Sequence, residues 1–314
     1  MIEIKNLKVD GDLVLAPMAG YTDSPFRLIA KKHGASLVFT ELISADGIVR
    51  MNRKTLSLIR FTDEERPIGI QIFGKDPDIM SRATSIVEEL KPDLIDINIG
   101  CSTRKVYRSG SGAALLKDPE LLRSIITSIT KKVTLPVSAK IRIGDDDQHR
   151  NYIDIVKLLQ DSGVSLISVH GRTRSQKFSG EADWEVIREI KEIAYVPVIG
   201  NGDIKSYSEA KEKLIFSRCD AVMIGRGAIG NPWIFSGYEP TIKETIDQIK
   251  KHLKMMVDFY GERGIKLVRK HIAKYIYGIE NAGKIRYSLM NSESKDEILS
   301  LLESLSSDIP EKLS

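Results

Sequence analysis

The sequence has little cysteine: only Cys101 and Cys219 occur in 314 residues, and neither sits in a CxxC or Cys/His ligand spacing. That excludes a disulfide framework and leaves no metal site to expect, structural zinc included. No apolar run reaches about 18 residues, and no basic-then-apolar leader occupies residues 1–11. Neither a membrane span nor a secretion signal is expected, and the cytoplasm is the default compartment. A large charge imbalance is also missing, since 47 Lys and Arg face 43 Asp and Glu for a net charge of +4. A total this small does not by itself argue for nucleic acid, but its distribution says more. Residues 241–291 hold 11 basic against 5 acidic residues, whereas 292–314 hold 2 against 6.

What is present is alternation. Short apolar runs recur at 13–16, 37–40, 68–72, 94–98, 137–141, 166–169, 196–199 and 221–224, each ending in loop signals. Between them lie helix-like stretches at 24–33, 77–90, 119–131, 150–160, 183–193 and 206–214, with Ser, Asp or Pro start signals. Residues 51–62 are more polar and harder to assign. Eight runs that are apolar on both faces, joined by helices, predict a parallel sheet closed into a (β/α)8 TIM barrel. From 242 to 305 only helical periodicity follows, so the reading is a barrel domain over 1–237 and a helical domain over 238–314.

Barrel active sites lie at the C-terminal ends of the strands, and here those ends are rich in polar and glycine residues. Pro17, Met18 and Ala19 follow the first run, Gln71 ends the third, and Asn98 and Cys101 close the fourth. Lys140 and Arg142 end the fifth, His170 and Arg172 the sixth, Asn201, Gly202 and Asp203 the seventh, and Gly225 and Arg226 the eighth. Any one of these is an ordinary rim residue; their convergence indicates a site. Glycine loops after the last two strands suit a phosphate, with Arg226 adding bidentate charge. Gly225 to Gly230 also reads as GxGxxG, but no second strand ending in an acid follows, which sets aside a dinucleotide fold. Lys140 is placed to hold negative charge on an electron-rich ring, and His170 to touch a cofactor.

Cys101 is either a small buried hydrophobe or a proton donor or nucleophile, and its loop position favours function. Arg104, Lys105 and Arg108 would lower its pKa if they pointed inward and would serve as phosphate contacts if they pointed out. Cys219, before the eighth run, reads as structural.

The motifs APMAGYTDSPFR (16–27), QIFG (71–74), DINIGC (96–101), GSGAALL (110–116), KIRIG (140–144), HGRT (170–173), IGNGDI (199–204) and IGRGAIGNPWIF (224–235) occur in one order, with RKHIAKYIYG at 269–278. Together they resemble the tRNA-dihydrouridine synthase family, most nearly its bacterial, nitrogen-regulation-like branch. The resemblance implies an FMN-carrying barrel that reduces uridine in RNA, tRNA above all, to 5,6-dihydrouridine with NADPH or NADH as electron donor. It implies that Pro17, Met18, Ala19, Gln71, Lys140, His170, Asn201, Gly202, Asp203, Gly225 and Arg226 hold FMN and that Cys101 is the proton donor. Asn98 would meet the substrate base. Arg104, Lys105, Arg142, Arg172, Arg269, Lys270, Lys274 and Arg286 are the expected RNA contacts, and 100–112 is expected to close over a flipped base. Ser102 stands where the family usually has proline, which bears on the stiffness of that loop. Another structured RNA such as rRNA, a free pyrimidine as substrate, and a non-catalytic RNA binder stay open at this point.

Overall fold

The computed structural model describes residues 1–277 and 282–307. Its centre is a closed parallel barrel. The strands are β3 (Leu13–Leu15), β4 (Val38–Phe39), β6 (Ile68–Phe73), β7 (Leu94–Ile99), β8 (Val137–Arg142), β9 (Leu166–His170), β10 (Val198–Asn201) and β11 (Ala221–Ile224). The sheet runs β3-β11-β10-β9-β8-β7-β6-β4, and a parallel bridge between Val14 and Leu37 joins its two ends. A barrel closed in this way has no edge strand to protect.

Three short strands extend the sequence reading. β1 (Ile2–Ile4) and β2 (Leu7–Val9) form an antiparallel hairpin, and β5 (Ile43–Ser44) pairs with β6. Ile2, Ile4 and Val9 pack against Leu94, Leu166 and Ala221, the first residues of their strands, so the hairpin seals the N-terminal mouth of the barrel. The alternation in a three-residue strand is too short to register as a period, which is why the hairpin escaped the sequence reading.

Outside the strands lie α1 (Ser24–Lys32), α2 (Ala45–Val49), α3 (Arg53–Ser57), α4 (Pro77–Glu89), α5 (Arg104–Arg108), α6 (Pro119–Thr130), α7 (Tyr152–Asp161), α8 (Trp184–Ile193) and α9 (Tyr207–Ser217). The start signals work as capping predicts: Asp23 accepts the Phe26 amide, Asp76 that of Ile79, and Asp118 that of Leu121. The polar stretch 51–62 is split between α3 and turn, which explains its weak periodicity.

Beyond the barrel come α10 (Ile242–Tyr260), α11 (Arg263–Tyr275), α12 (Ala282–Asn291) and α13 (Lys295–Ser307). They have their own apolar cluster, built on Ile249, Leu253, Met256, Val268, Ile272, Ile298 and Leu302. Gly278 of the RKHIAKYIYG motif and residues 308–314 lie outside the described residues. Against α1, the Phe26 ring stacks on His252 at 6.0 Å and meets His271 at 4.9 Å. No helix among the described residues is long and apolar enough to cross a membrane.

Candidate active site

Alternation along parallel strands turns one face inward, and in β7 that face carries Asp96 and Asn98 while Ile95 and Ile97 join the outer core. Register places Gln71 beside Asp96, Asp96 beside Ser138, and Asn98 beside Lys140. Ser138 Oγ donates to Asp96 Oδ1 at 2.6 Å and Gln71 Nε2 donates to Asp96 Oδ2 at 2.6 Å. Asn98 Nδ2 donates to Gln71 Oε1 at 2.8 Å, and Asn98 Oδ1 accepts the Cys101 amide at 2.8 Å. A chain of side chains therefore runs from the middle of the barrel to the cysteine turn. Burial pushes the Asp96 carboxyl up to about 6 against the pull of Gln71 and Ser138. Asp96 was absent from the sequence-based site; a lone acid between β-branched residues of a buried strand was the signal available.

Lys140 Nζ donates to Asn201 Oδ1 at 3.0 Å, and Asn201 Nδ2 donates to the Met223 carbonyl at 2.7 Å, tying β8, β10 and β11 together. Burial, with the Arg142 charge, lowers the Lys140 ammonium to about 8; Asp96 and Cys101 act in the other direction. His170 is buried among cations, and desolvation together with Lys140, Arg142, Arg172 and Arg226 holds its pKa well below 6.5. It is neutral at pH 7, able to accept or donate one hydrogen bond.

At the loops after β10 and β11, Gly202 has φ of +141°, and a Cβ there would lie 2.4 Å from the Ala182 side chain. Only glycine lets this turn close. Asp203 Oδ2 accepts from Arg172 Nη2 at 2.6 Å and from the Ala182 amide at 2.8 Å, while Oδ1 is 3.5 Å from Arg226 Nη2. Arg226 is thus weakly held, its guanidinium 4.4 Å from the exposed Phe178 ring. A Cβ at Gly225 would meet Ala16 Cβ and Met18 Sδ at 3.6 Å, so the Pro17–Ala19 and Gly225–Arg226 segments lie side by side after the paired strands β3 and β11.

Two of the expected RNA contacts are buried at the strand ends. Arg142 and Arg172 are only 4% and 1% exposed. Arg142 donates to the carbonyls of Gly100, Thr173 and Lys177 at 2.9, 2.7 and 3.0 Å, and Arg172 to that of Ser179 at 3.0 Å besides Asp203. Both guanidinium groups tie together the loops around the site. Sequence placed them correctly at strand ends but could not show which carbonyls surround them.

Cys101 is partly exposed, its Sγ 3.1 Å from Thr103 Oγ1. Gly112 has φ of +63°, and a Cβ there would come within 3.0 Å of the Cys101 carbonyl, so the segment folds back directly onto the cysteine. Arg104, Lys105 and Arg108 are exposed on α5, whose buried residue is Val106. Of the helical cations, Arg269 donates to the Ser292 carbonyl, and Lys270 donates to the Gly20 carbonyl with its ammonium 5.1 Å from the Tyr21 ring. Lys274 is exposed and lies 5.7 Å from the exposed Tyr277 ring, while Arg286 is half-buried on α12.

Comparison with known proteins gives the same direction. Residues 14–312 match the family model described as dihydrouridine synthase (Dus). The chain is 37% identical to the probable tRNA-dihydrouridine synthase of Rickettsia bellii (strain RML369-C), over 97% of this chain and 99% of that one. It is 40% identical to the tRNA-dihydrouridine synthase B of Pasteurella multocida (strain Pm70), over 89% and 88%. The probable tRNA-dihydrouridine synthase of Aquifex aeolicus (strain VF5) is also 40% identical, over 93% and 95%. Among solved structures, histamine dehydrogenase from Rhizobium sp. 4-9 superposes with a TM-score of 0.56 at 12% identity, over 87% of this chain and 50% of that one. A 2-naphthoyl-CoA reductase complex does so with a TM-score of 0.59 at 13% identity, over 75% and 51%. The chain spans about half the length of these two, which it resembles in fold alone. With nearly its whole length covered by the family model and by relatives of this similarity, the chain belongs to the dihydrouridine synthase family.

Proposed function

We propose that this protein reduces uridine in tRNA to 5,6-dihydrouridine, using FMN held at the C-terminal mouth of the barrel and NADPH or NADH as the electron donor. The observation that carries the cofactor reading is the environment of Lys140. Its half-buried ammonium is bonded to a neutral amide, Asn201, and Asp96 acts on it only through space. A buried cation without a bonded counter-charge is costly unless a ligand supplies the charge. An electron-rich isoalloxazine ring fits that requirement, and the weakly held Arg226 beside Gly225 fits a phosphate. Bound flavin would supply a hydride for the C6 carbon of the uracil ring.

The residues of the chain then have distinct tasks. Lys140 and neutral His170 would hold the ring, and Arg226 with the Gly202–Asp203 turn the phosphate. Hydride at C6 places negative charge on C5 and O4, and a proton must reach C5. A thiol can carry a proton where a carboxylate would already be ionised, and Cys101 is the partly exposed thiol at this turn. Asn98 holds the amide of that residue, and its second amide hydrogen remains for the base. The helical region 238–314 would dock the RNA, with Lys274 and Tyr277 on its surface.

Two observations test this. The purified protein should be yellow, with flavin absorbance that bleaches on adding NADPH or NADH. RNA from a strain lacking the gene should lose dihydrouridine from at least one tRNA position. Colourless protein that cannot be reconstituted with FMN, or an unchanged modification map, would refute the reading.

A further inference from the structure

α5 is too short to hold itself in place. A five-residue helix is marginal in water, and its apolar anchors are the buried Val106 and the half-buried Tyr107 ring against the barrel core. What fixes it is Tyr107, whose Oη donates to Asp145 Oδ1 at 2.9 Å. Asp145 follows β8 and its side chain is 2% exposed. Arg174, from the loop after β9, grips both of its oxygens at 2.8 Å, and Lys117 Nζ reaches Oδ2 at 3.0 Å. The Arg174 guanidinium also lies over the Tyr107 ring, 4.5 Å from its centre. Arg174, followed by Lys117 and Tyr107, holds the Asp145 carboxyl well below the usual carboxylate range, so the hub stays ionised. Backbone bonds complete the frame: the Arg174 amide donates to Gly144 and the Ser175 amide to Asp145. Four separate segments meet at one carboxylate, and one of them is the turn that carries Cys101.

We propose that Tyr107 is a positioning residue, and that its bond to the Asp145–Arg174 pair latches the Cys101 segment over the strand ends. The basic residues of α5 do not hold the loop closed; they face outward and are free for RNA. Asn98 fixes the Cys101 amide at one end of the segment, Tyr107 fixes the middle, and the fold-back at Gly112 fixes the other end. This inference rests on the reading of Cys101 as proton donor for its functional meaning, but the latch is a property of the chain alone.

Tyr107→Phe tests it, because the ring stays beneath Arg174 and only the hydroxyl is lost. Hydrogen exchange of residues 103–110 in the flavin-free, full-length protein should quicken by about 10- to 100-fold, the range for a hydrogen bond to a charged group. Cys219 should stay unreactive to iodoacetamide, which reports that the barrel remains folded. Exchange at the wild-type rate would overturn the latch. In the flavin-loaded protein, Tyr107→Phe should leave FMN affinity unchanged and slow the RNA-driven step; faster exchange with an unaffected RNA-driven step would overturn the positioning role. Asp145→Asn should reproduce both effects. If wild-type protein takes up no flavin, the functional reading fails while the exchange comparison still decides the latch.

Discussion

Lys140 Nζ donates to Asn201 Oδ1 at 3.0 Å, so this half-buried cation at the strand ends rests on a neutral amide. Its pKa is lowered from 10.5 to about 8, chiefly by burial. Between those two values the unfolded chain binds a proton at this position and the folded one does not, so stability contributed here rises with pH. The difference in unfolding free energy between wild type and Lys140→Met should move in favour of wild type from pH 7 to pH 10, by up to about 3 kcal/mol. Urea titrations across that range measure it, and a flat difference would show that the ammonium is not strained by burial. The same variant should bind FMN more weakly.

Asp96 receives two side-chain donors in a dry environment, from Gln71 and Ser138. Asp96→Ala strands both and frees Gln71 to turn away from Asn98. We expect a loss of about 2–4 kcal/mol in unfolding free energy, together with faster exchange at the Cys101 amide. A cost below about 0.5 kcal/mol would place the variant among neutral surface changes and argue against the ladder.

His252 and His271 are buried beside Phe26 with their ring centres 4.6 Å apart and their planes tilted by 58°, and neither ring has its full set of partners. Burial holds both pKa values down, that of His252 to about 3. In the unfolded chain these rings protonate near pH 6.5 and in the folded chain they do not, so the stability they contribute is lost as pH falls from about 6.5 towards 3. Trp233 belongs to the same apolar cluster as α10 and α11, so its fluorescence should follow the acid transition. His252→Phe should shift the acid midpoint to lower pH; an unchanged midpoint would assign the acid sensitivity elsewhere.

The architecture was legible in the sequence because the strands are buried on both faces and the helices carry proper caps. Leu94 to Ile99 reads as a strand from its β-branched run alone, and Asp76-Pro77 announces α4. The barrel site residues were legible as positions, since each lies in the C-terminal half of a strand or just after it. Their tasks were not: nothing in the spacing of Arg142 or Arg172 tells that their guanidinium groups end on loop carbonyls. Nor could the sequence pair Tyr107 with Asp145, 38 residues apart, because that contact depends on how two loops fold over adjacent strands.

Lys274 and Tyr277 offer a cation and an exposed ring on the helical region, Tyr277 being 75% exposed. Exposed aromatics beside cations are what unpaired bases stack on. Lys274→Glu should weaken RNA binding and reduce the salt dependence of log affinity by about one unit of slope, with FMN affinity unchanged. Equal slopes for variant and wild type would remove Lys274 from the interface.

Cys101→Ala should retain FMN and its reduction by NADPH or NADH. Reoxidation on adding tRNA should then slow by about 100- to 10,000-fold, the share of a general acid. Wild-type reoxidation would mean that another group delivers the proton.

The central claim is that this chain itself reduces uridine in tRNA. The most direct measurement is to incubate purified protein, FMN and NADPH with tRNA from a strain lacking the gene, and to weigh its nuclease fragments by mass spectrometry. The account predicts dihydrouridine appearing at a defined position with wild-type protein and not with Cys101→Ala. Uridine left unchanged by flavin-loaded wild-type protein would contradict it.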